Sequence, residues 1–306
     1  MGQAEVEVKC TLNAQSGLGE SPVWSVAEQA LYWVDIGTWP QVDASMPPPS
    51  INRFDPATGA TRCWPLPEVV GCFALREGNG AILALLSGLY DFDFVTGNLR
   101  LLAKTPYNPR DQRFNDGKCD RAGRFWVGQS RRRGAEPPPL GELYCYDGRT
   151  LEARGFPHAT SNAIAWSPDD KTMYFCDSAH PTLWALDYDI ARGQFSGRRE
   201  FATWPQPVIF DGAAVDAEGG LWVAQFRAGR VVRYLPDGRL DREVAMPVTN
   251  PTMVAFGGPA LDTLYVTSAR QYLSPEELAR EPLAGAIFSF RPGVKGLPEP
   301  LFRPRG

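Results

Sequence analysis

The sequence predicts an all-β fold: a six-bladed β-propeller with four-stranded antiparallel blades around a central channel, spanning 1–306 as a single domain. Three observations predict it. First, one motif, Asp-x-x-Gly-x-Φ-Trp/Tyr-Φ with Φ apolar, recurs as DRAGRFWVG, PDDKTMYFCD and DAEGGLWVA, with looser copies VAEQALYWVD, REGNGAILAL and PALDTLYVTS. Second, the centres of the copies fall near Trp33, Leu83, Trp126, Tyr174, Trp222 and Tyr265, a spacing of roughly 40–50 residues, the period of a four-stranded blade. Third, an acidic or amide residue opens several of the segments: Glu20, Asn115 with Asp116, Asn162 and Asp211. A β-sandwich has no need of six copies of one motif, whereas radial repetition does.

Within each copy, alternating apolar runs are joined by Asp/Gly/Asn turns, the hairpin signal. A second set of turns, FDPATGAT, DFVTGNL, YDGRTLE and LPDGRL, reads as hairpins of the outer strands. The best helical stretch is SPEELAREPL at 274–283, one or two turns long. Ser274 is its N-cap, and Glu276 and Glu277 lie in the first turn. The proline clusters SMPPPS and EPPPL cannot join a central ladder and belong to loops. A length of 306 residues does not force two domains, because each blade packs only on its neighbours and the ring closes as one unit.

The formal net charge is −4 and no basic stripe is interleaved with aromatics, so no nucleic-acid partner is expected. The start has no apolar signal region, and no run reaches the roughly 18 apolar residues of a membrane span. A cytoplasmic protein with no membrane association and no obligate protein partner is expected. Six cysteines without a C-x-x-C read as free, buried thiols. Two histidines, His158 and His180, are too few for a His-rich zinc site; His158 reads as a loop residue, and His180 as a secondary pocket candidate. G-x-S-x-G, the phosphate-binding P-loop and a dinucleotide fingerprint are all absent. Asp35 and Asp177 close YWVD and YFCD and read as loop starters, with Asp177 a secondary pocket candidate.

Equivalent positions of a propeller converge on its axis. Four oxygen-bearing side chains would then meet, and such a cluster repels itself unless a cation sits in it, which points to a divalent-metal site. Taken singly, each residue is equally a turn former; Asp211 in FDG is a β-turn starter. An oxygen-only shell suits Ca²⁺, Mg²⁺ or Mn²⁺ over copper, while Zn²⁺ and Fe²⁺ also accept carboxylates.

GLGESPVWSVAEQALYWVDI, RFNDGKCDRAGRFWVG, SNAIAWSPDDKTMYFCDS, FDGAAVDAEGGLWVA and FGGPALDTLYVTSAR resemble the SMP-30/gluconolactonase/regucalcin-like family, in order, from about Glu20 to about Arg270. The resemblance implies a propeller with one divalent metal, Ca²⁺ first among the ions, and hydrolysis of a sugar lactone to the aldonic acid. By the same resemblance Glu20, Asn162 and Asp211 are metal ligands and Asp211 is also the general acid/base. Arg113 and Asn115 hold substrate hydroxyls, Asp116 joins them in the substrate-binding set close to the site, and AEVEVKC pairs into the last blade. The sequence departs at QSRRRGAEPPP, where Arg133 stands near an acidic sugar contact of some members. Arg131, Arg132 and Arg133 would suit a substrate with a carboxylate or phosphate tail, or else form a solvated loop. Alternatives are a metal-dependent esterase or organophosphate hydrolase, and a non-enzymatic Ca²⁺-binding propeller, because fold alone does not fix function.

Overall fold

A computed structural model describes residues 6–39, 43–132, 140–204 and 208–304. The chain opens with β1 (Lys9–Leu12). Blade one is β2 (Gly19–Ser25), β3 (Ala30–Asp35), β4 (Ser50–Phe54) and β5 (Thr61–Pro65); blade two is β6 (Val70–Arg76), β7 (Gly80–Leu85), β8 (Gly88–Asp93) and β9 (Leu99–Lys104). Blade three is β10 (Gln112–Cys119), β11 (Phe125–Arg131), β12 (Gly141–Tyr146) and β13 (Leu151–His158); blade four is β14 (Ser161–Trp166), β15 (Thr172–Asp177), β16 (Thr182–Asp189) and β17 (Gln194–Thr203). Blade five is β18 (Ile209–Val215), β19 (Leu221–Phe226), β20 (Arg230–Tyr234) and β21 (Leu240–Ala245). Blade six is β22 (Pro251–Gly257), β23 (Thr263–Ser268) and, after α1 (Pro275–Arg280), β24 (Ile287–Phe290), completed by β1 pairing antiparallel to β24. The six-bladed propeller is thus the observed fold, and the chain's start closes the ring. The closing strand begins at Lys9, so among the described residues of AEVEVKC only Lys9 and Cys10 lie in it.

The repeat motif has a physical reason. Asp120 accepts from the indole N–H of Trp126 at 3.1 Å and from the backbone of Arg124 at 3.0 Å. Asp216 does the same for Trp222 at 2.8 Å and Gly220 at 2.8 Å. The aspartate therefore shapes the turn and satisfies the buried indole six residues on, which an apolar residue could not do. Each carboxylate also holds a buried arginine, Arg124 or Arg233.

The period-2 alternation buries both faces of the inner strands. Tyr32 and Val34 pack towards blade two with Phe73 and Leu83, whereas Leu31 and Trp33 pack towards blade six with Tyr265 and Ile287. Four further apolar clusters fill the remaining blade interfaces, so the core is a ring of side chains between blades. The outer hairpins follow the expected turns, and all six cysteines are free, four of them buried. Ser274 caps α1 and forms a capping box with Glu277. Among the described residues no helix is long and apolar enough to cross a membrane.

The chain's last segment has no repeat signal, and it crosses one end of the propeller. Ala217 N–H donates to Lys295 O at 2.8 Å, Phe302 N–H to Leu75 O at 2.8 Å and Arg303 N–H to Gly123 O at 2.9 Å. Glu299 reaches the buried Lys118 of β10 at 3.2 Å. A cavity of about 790 Å³ lies here, lined by Trp24, Leu75 and Pro298 among others. Arg76 and Arg121 on its wall are paired with Asp91 and Asp170, and Arg303 has an exposed contact with Glu77.

Candidate active site

At the other end, the innermost strands of the blades break register with their neighbours where the polar residues stand. Glu20 is the last residue in register before the break in β2, and Asn162 is the same in β14. Asn115 and Asp211 fall within the breaks of β10 and β18. A bulge of this kind re-aims a side chain out of the sheet. The residues after Glu20 and Asn162, Ser21 and Ala163, take left-handed φ of 49° and 56°. After Asp211 stands Gly212, where a Cβ would lie 2.2 Å from Met253 Cγ; the glycine of FDG lets blades five and six approach. Blades two and six place Gly71 and Thr252 at their breaks, which leaves the acidic and amide groups to the other four.

Glu20, Arg113, Asn115, Asn162 and Asp211 line one cavity of about 600 Å³. Its walls add Trp39, Ser178, Phe226, Gln271 and Tyr272, and Arg131 with Arg132. The sequence gives no signal for the aromatic walls, since they stand on loops or close strands without a repeat. Ser178 was within reach as the residue after YFCD. Asn115 donates to Ser161 O at 2.8 Å and to Asn162 Oδ1 at 3.1 Å, and Asn162 donates to Ser178 Oγ at 2.7 Å. Both N–H groups of Asn115 are thereby used, which leaves its Oδ1 as the group's acceptor. Arg113 is half-buried and donates to Phe114 O at 2.8 Å.

The carboxylates are held against ionisation. Burial raises Asp211 well above its usual range, and the charges of Glu20 and Asp116 add to this. Burial and then Asp116 raise Glu20, opposed in part by Ser21 N–H and Arg113. Asp116 lies behind the cavity wall: its Oδ2 accepts from Ile164 N–H at 2.9 Å, while its Oδ1 is buried without a partner. Burial pushes Asp116 up to about 6. Arg133 and the loop residues 134–139 lie outside the described residues. His180 is exposed and away from the cavity. His158 is a buried residue at the end of β13, not a loop residue: its Nε2 accepts from Gln129 N–H at 3.2 Å and its Nδ1 faces Phe156 O at 2.7 Å. Asp177 does not line the cavity either; its oxygens accept from Ala159 N–H at 2.9 Å and Thr160 N–H at 3.0 Å.

Among the described residues no three His, Cys, Asp or Glu side chains are placed to hold a metal together. The donor set here is instead two carboxylates and an amide. Its chemistry fits a hard divalent cation: Glu20 and Asp211 repel each other, Asn162 Oδ1 keeps a lone pair after accepting from Asn115, and the unpartnered Asp116 oxygen adds negative charge beneath.

Fold and site together define a six-bladed propeller with an oxygen-rich cavity at one end of its axis. The family model described as the SMP-30/Gluconolactonase/LRE-like region matches residues 18–270, and the chain belongs to this family. It is 42% identical to the 6-deoxy-6-sulfogluconolactonase of Pseudomonas putida, over 96% of this chain and 98% of that protein. It is 38% identical to the L-arabinolactonase of Azospirillum brasilense, over 96% and 95%. The crystal structure of a calcium-binding protein, regucalcin, from Agrobacterium tumefaciens superposes with a TM-score of 0.88 at 27% identity, covering 98% of each chain.

Proposed function

We propose that the protein is a divalent-metal-dependent hydrolase that opens a sugar lactone to its aldonic acid. One observation carries the reading: Glu20, Asn162 and Asp211, delivered by three different blades, face one cavity, and two of them are carboxylates whose surroundings oppose their charge. A cation relieves that opposition. The relatives named as lactonases support the substrate class.

Glu20, Asn162 and Asp211 would hold the ion, with Ca²⁺ first among the candidates and Zn²⁺, Mn²⁺, Mg²⁺ and Fe²⁺ also compatible. When bound, it supplies Lewis acidity to the ester carbonyl and to the attacking water. Asp211 takes the proton from that water and returns it to the ring alkoxide as the C–O bond breaks. Arg113 donates to sugar oxygens from the cavity wall, and the free Oδ1 of Asn115 accepts from a sugar hydroxyl. Asp116 touches no substrate in this scheme; its charge sets the field beneath the two ligand carboxylates.

The test is acid release from glucono-, galactono-, xylono- and arabinono-lactones with and without chelator. Turnover that is lost with EDTA and regained with added metal supports the reading. Turnover of esters or phosphotriesters without lactones replaces it with a different hydrolase, and ion binding without any turnover replaces it with a binding protein.

A further inference from the structure

We propose that the lactone taken by this site carries an anionic group (sulfonate, phosphate or carboxylate) at the end of its chain remote from the ester, held by Arg131 and Arg132. The inference rests on the lactonase reading and narrows it to a substrate class. Arg113 stands opposite Ser130 across β10 and β11. Arg131 and Arg132 therefore lie one and two residues beyond that level towards the mouth, roughly 3 and 7 Å along the strand. All three line the same cavity. Their backbones are fixed: Arg131 N–H donates to Ala159 O at 3.0 Å and Arg132 N–H to Asp111 O at 2.7 Å.

The cavity's charges are unevenly matched. Arg113 lies beside Glu20 and Asp211, whose charges it offsets. Arg131 is half-buried and makes no ion pair with a described acid. Arg132 has one acidic neighbour, Asp111, at 4.0 Å with both side chains about 40% exposed (42% and 38%), a separation and exposure at which pairing is weak. Its Nε is shut from solvent without a partner. In the cavity at the opposite end, Arg76 and Arg121 are each paired with a half-buried acid, Asp91 and Asp170. Two guanidinium groups on a cavity wall with no close acid among the described residues attract an anion, and their planar forks fit the paired oxygens of a sulfonate, phosphate or carboxylate. A neutral hydroxymethyl end would leave them partly desolvated with nothing in return.

The test compares kcat/KM for D-glucono-1,5-lactone with that for its 6-sulfo, 6-phospho and 6-carboxylate counterparts, with divalent metal supplied. The expected result is a preference of about tenfold or more for at least one anionic lactone, which shrinks as ionic strength rises. Arg131→Gln and Arg132→Gln, each checked for folding by its melting curve, reduce the anionic-to-neutral ratio by about fivefold or more, chiefly through KM. The ranking of the three anions identifies the group. Equal kcat/KM for charged and neutral lactones in the unmodified protein, insensitive to salt, overturns this inference and leaves the lactonase reading standing. So does a ratio unmoved in both variants. Turnover of no lactone at all overturns both.

Discussion

Asp35 fixes Glu20 through the backbone: its two carboxylate oxygens receive the N–H groups of Gly17 and Leu18, at 2.8 and 3.0 Å, and Glu20 follows two residues later. Asp177 repeats the device for Asn162 with the same spacing, through Ala159 and Thr160. Both aspartates end the second strand of their blade and turn back on the approach to the innermost strand. They are positioning residues. Removing either leaves two inward N–H groups without an acceptor, at roughly 1–3 kcal/mol each. Asp35→Ala and Asp177→Ala should weaken divalent-ion binding by about tenfold or more, read by calorimetry. A folded variant that keeps the original affinity would contradict the role.

The site works against stability. Glu20 and Asp211 are both raised by burial and by the charge of Asp116, and Asp211 also by Glu20. A carboxyl whose folded-state pKa lies above its unfolded value contributes stability at low pH and loses it as pH rises through the folded value. Without metal, the protein should therefore melt lower at pH 8 than at pH 6. Asp211→Asn, which removes one charge, should raise the metal-free Tm at pH 8 by a few degrees while turnover falls by about a hundredfold or more. A metal-free Tm that Asp211→Asn lowers would contradict the electrostatic account; retained turnover would contradict the role of Asp211 in catalysis.

Asp216 is wholly buried and binds Trp222, Arg233 and two backbone N–H groups. It stands far from the cavity in role: it holds the blade, not the substrate. Asp216→Ala leaves Arg233 Nε and the indole N–H without an acceptor, at roughly 1–3 kcal/mol each, while Arg233 keeps Asp241 and Glu218. Denaturant unfolding should show that loss, with KM for the lactone unchanged below the transition. A stability unaffected by the substitution would show that the repeat's aspartate has another purpose.

The surroundings of His158 oppose its protonation. Burial lowers its pKa, and its Nε2 faces the N–H of Gln129, so a proton there would meet a donor. A histidine with a depressed folded pKa contributes stability above its unfolded value of about 6.5 and loses it as pH falls. His158→Gln should flatten the fall in Tm between about pH 7 and pH 5. Parallel pH profiles for the two proteins would refute this.

Blades three and five were legible because the Asp-to-indole hydrogen bond imposes a fixed spacing that survives as a motif; the other copies keep its turn and its apolar centre. The axial groups were legible for a related reason: a bulge at one level of each innermost strand puts Glu20, Asn115, Asn162 and Asp211 at matching offsets. What stayed hidden has no period. The tail that carries Glu299 to Lys118 crosses the blades in extended form without a strand's alternation. Trp39 and Tyr272 reach the cavity from loops, where no spacing rule applies. Asp35 and Asp177 looked like loop starters, and only the fold reveals which N–H groups they receive.

The most direct measurement is an anomalous difference map from a crystal soaked in Mn²⁺. The account predicts one strong peak in the axial cavity, within about 2.0–2.6 Å of oxygens from Glu20, Asn162 and Asp211 together. A cavity without a peak, or an ion bound elsewhere while lactone turnover depends on it, would contradict the account.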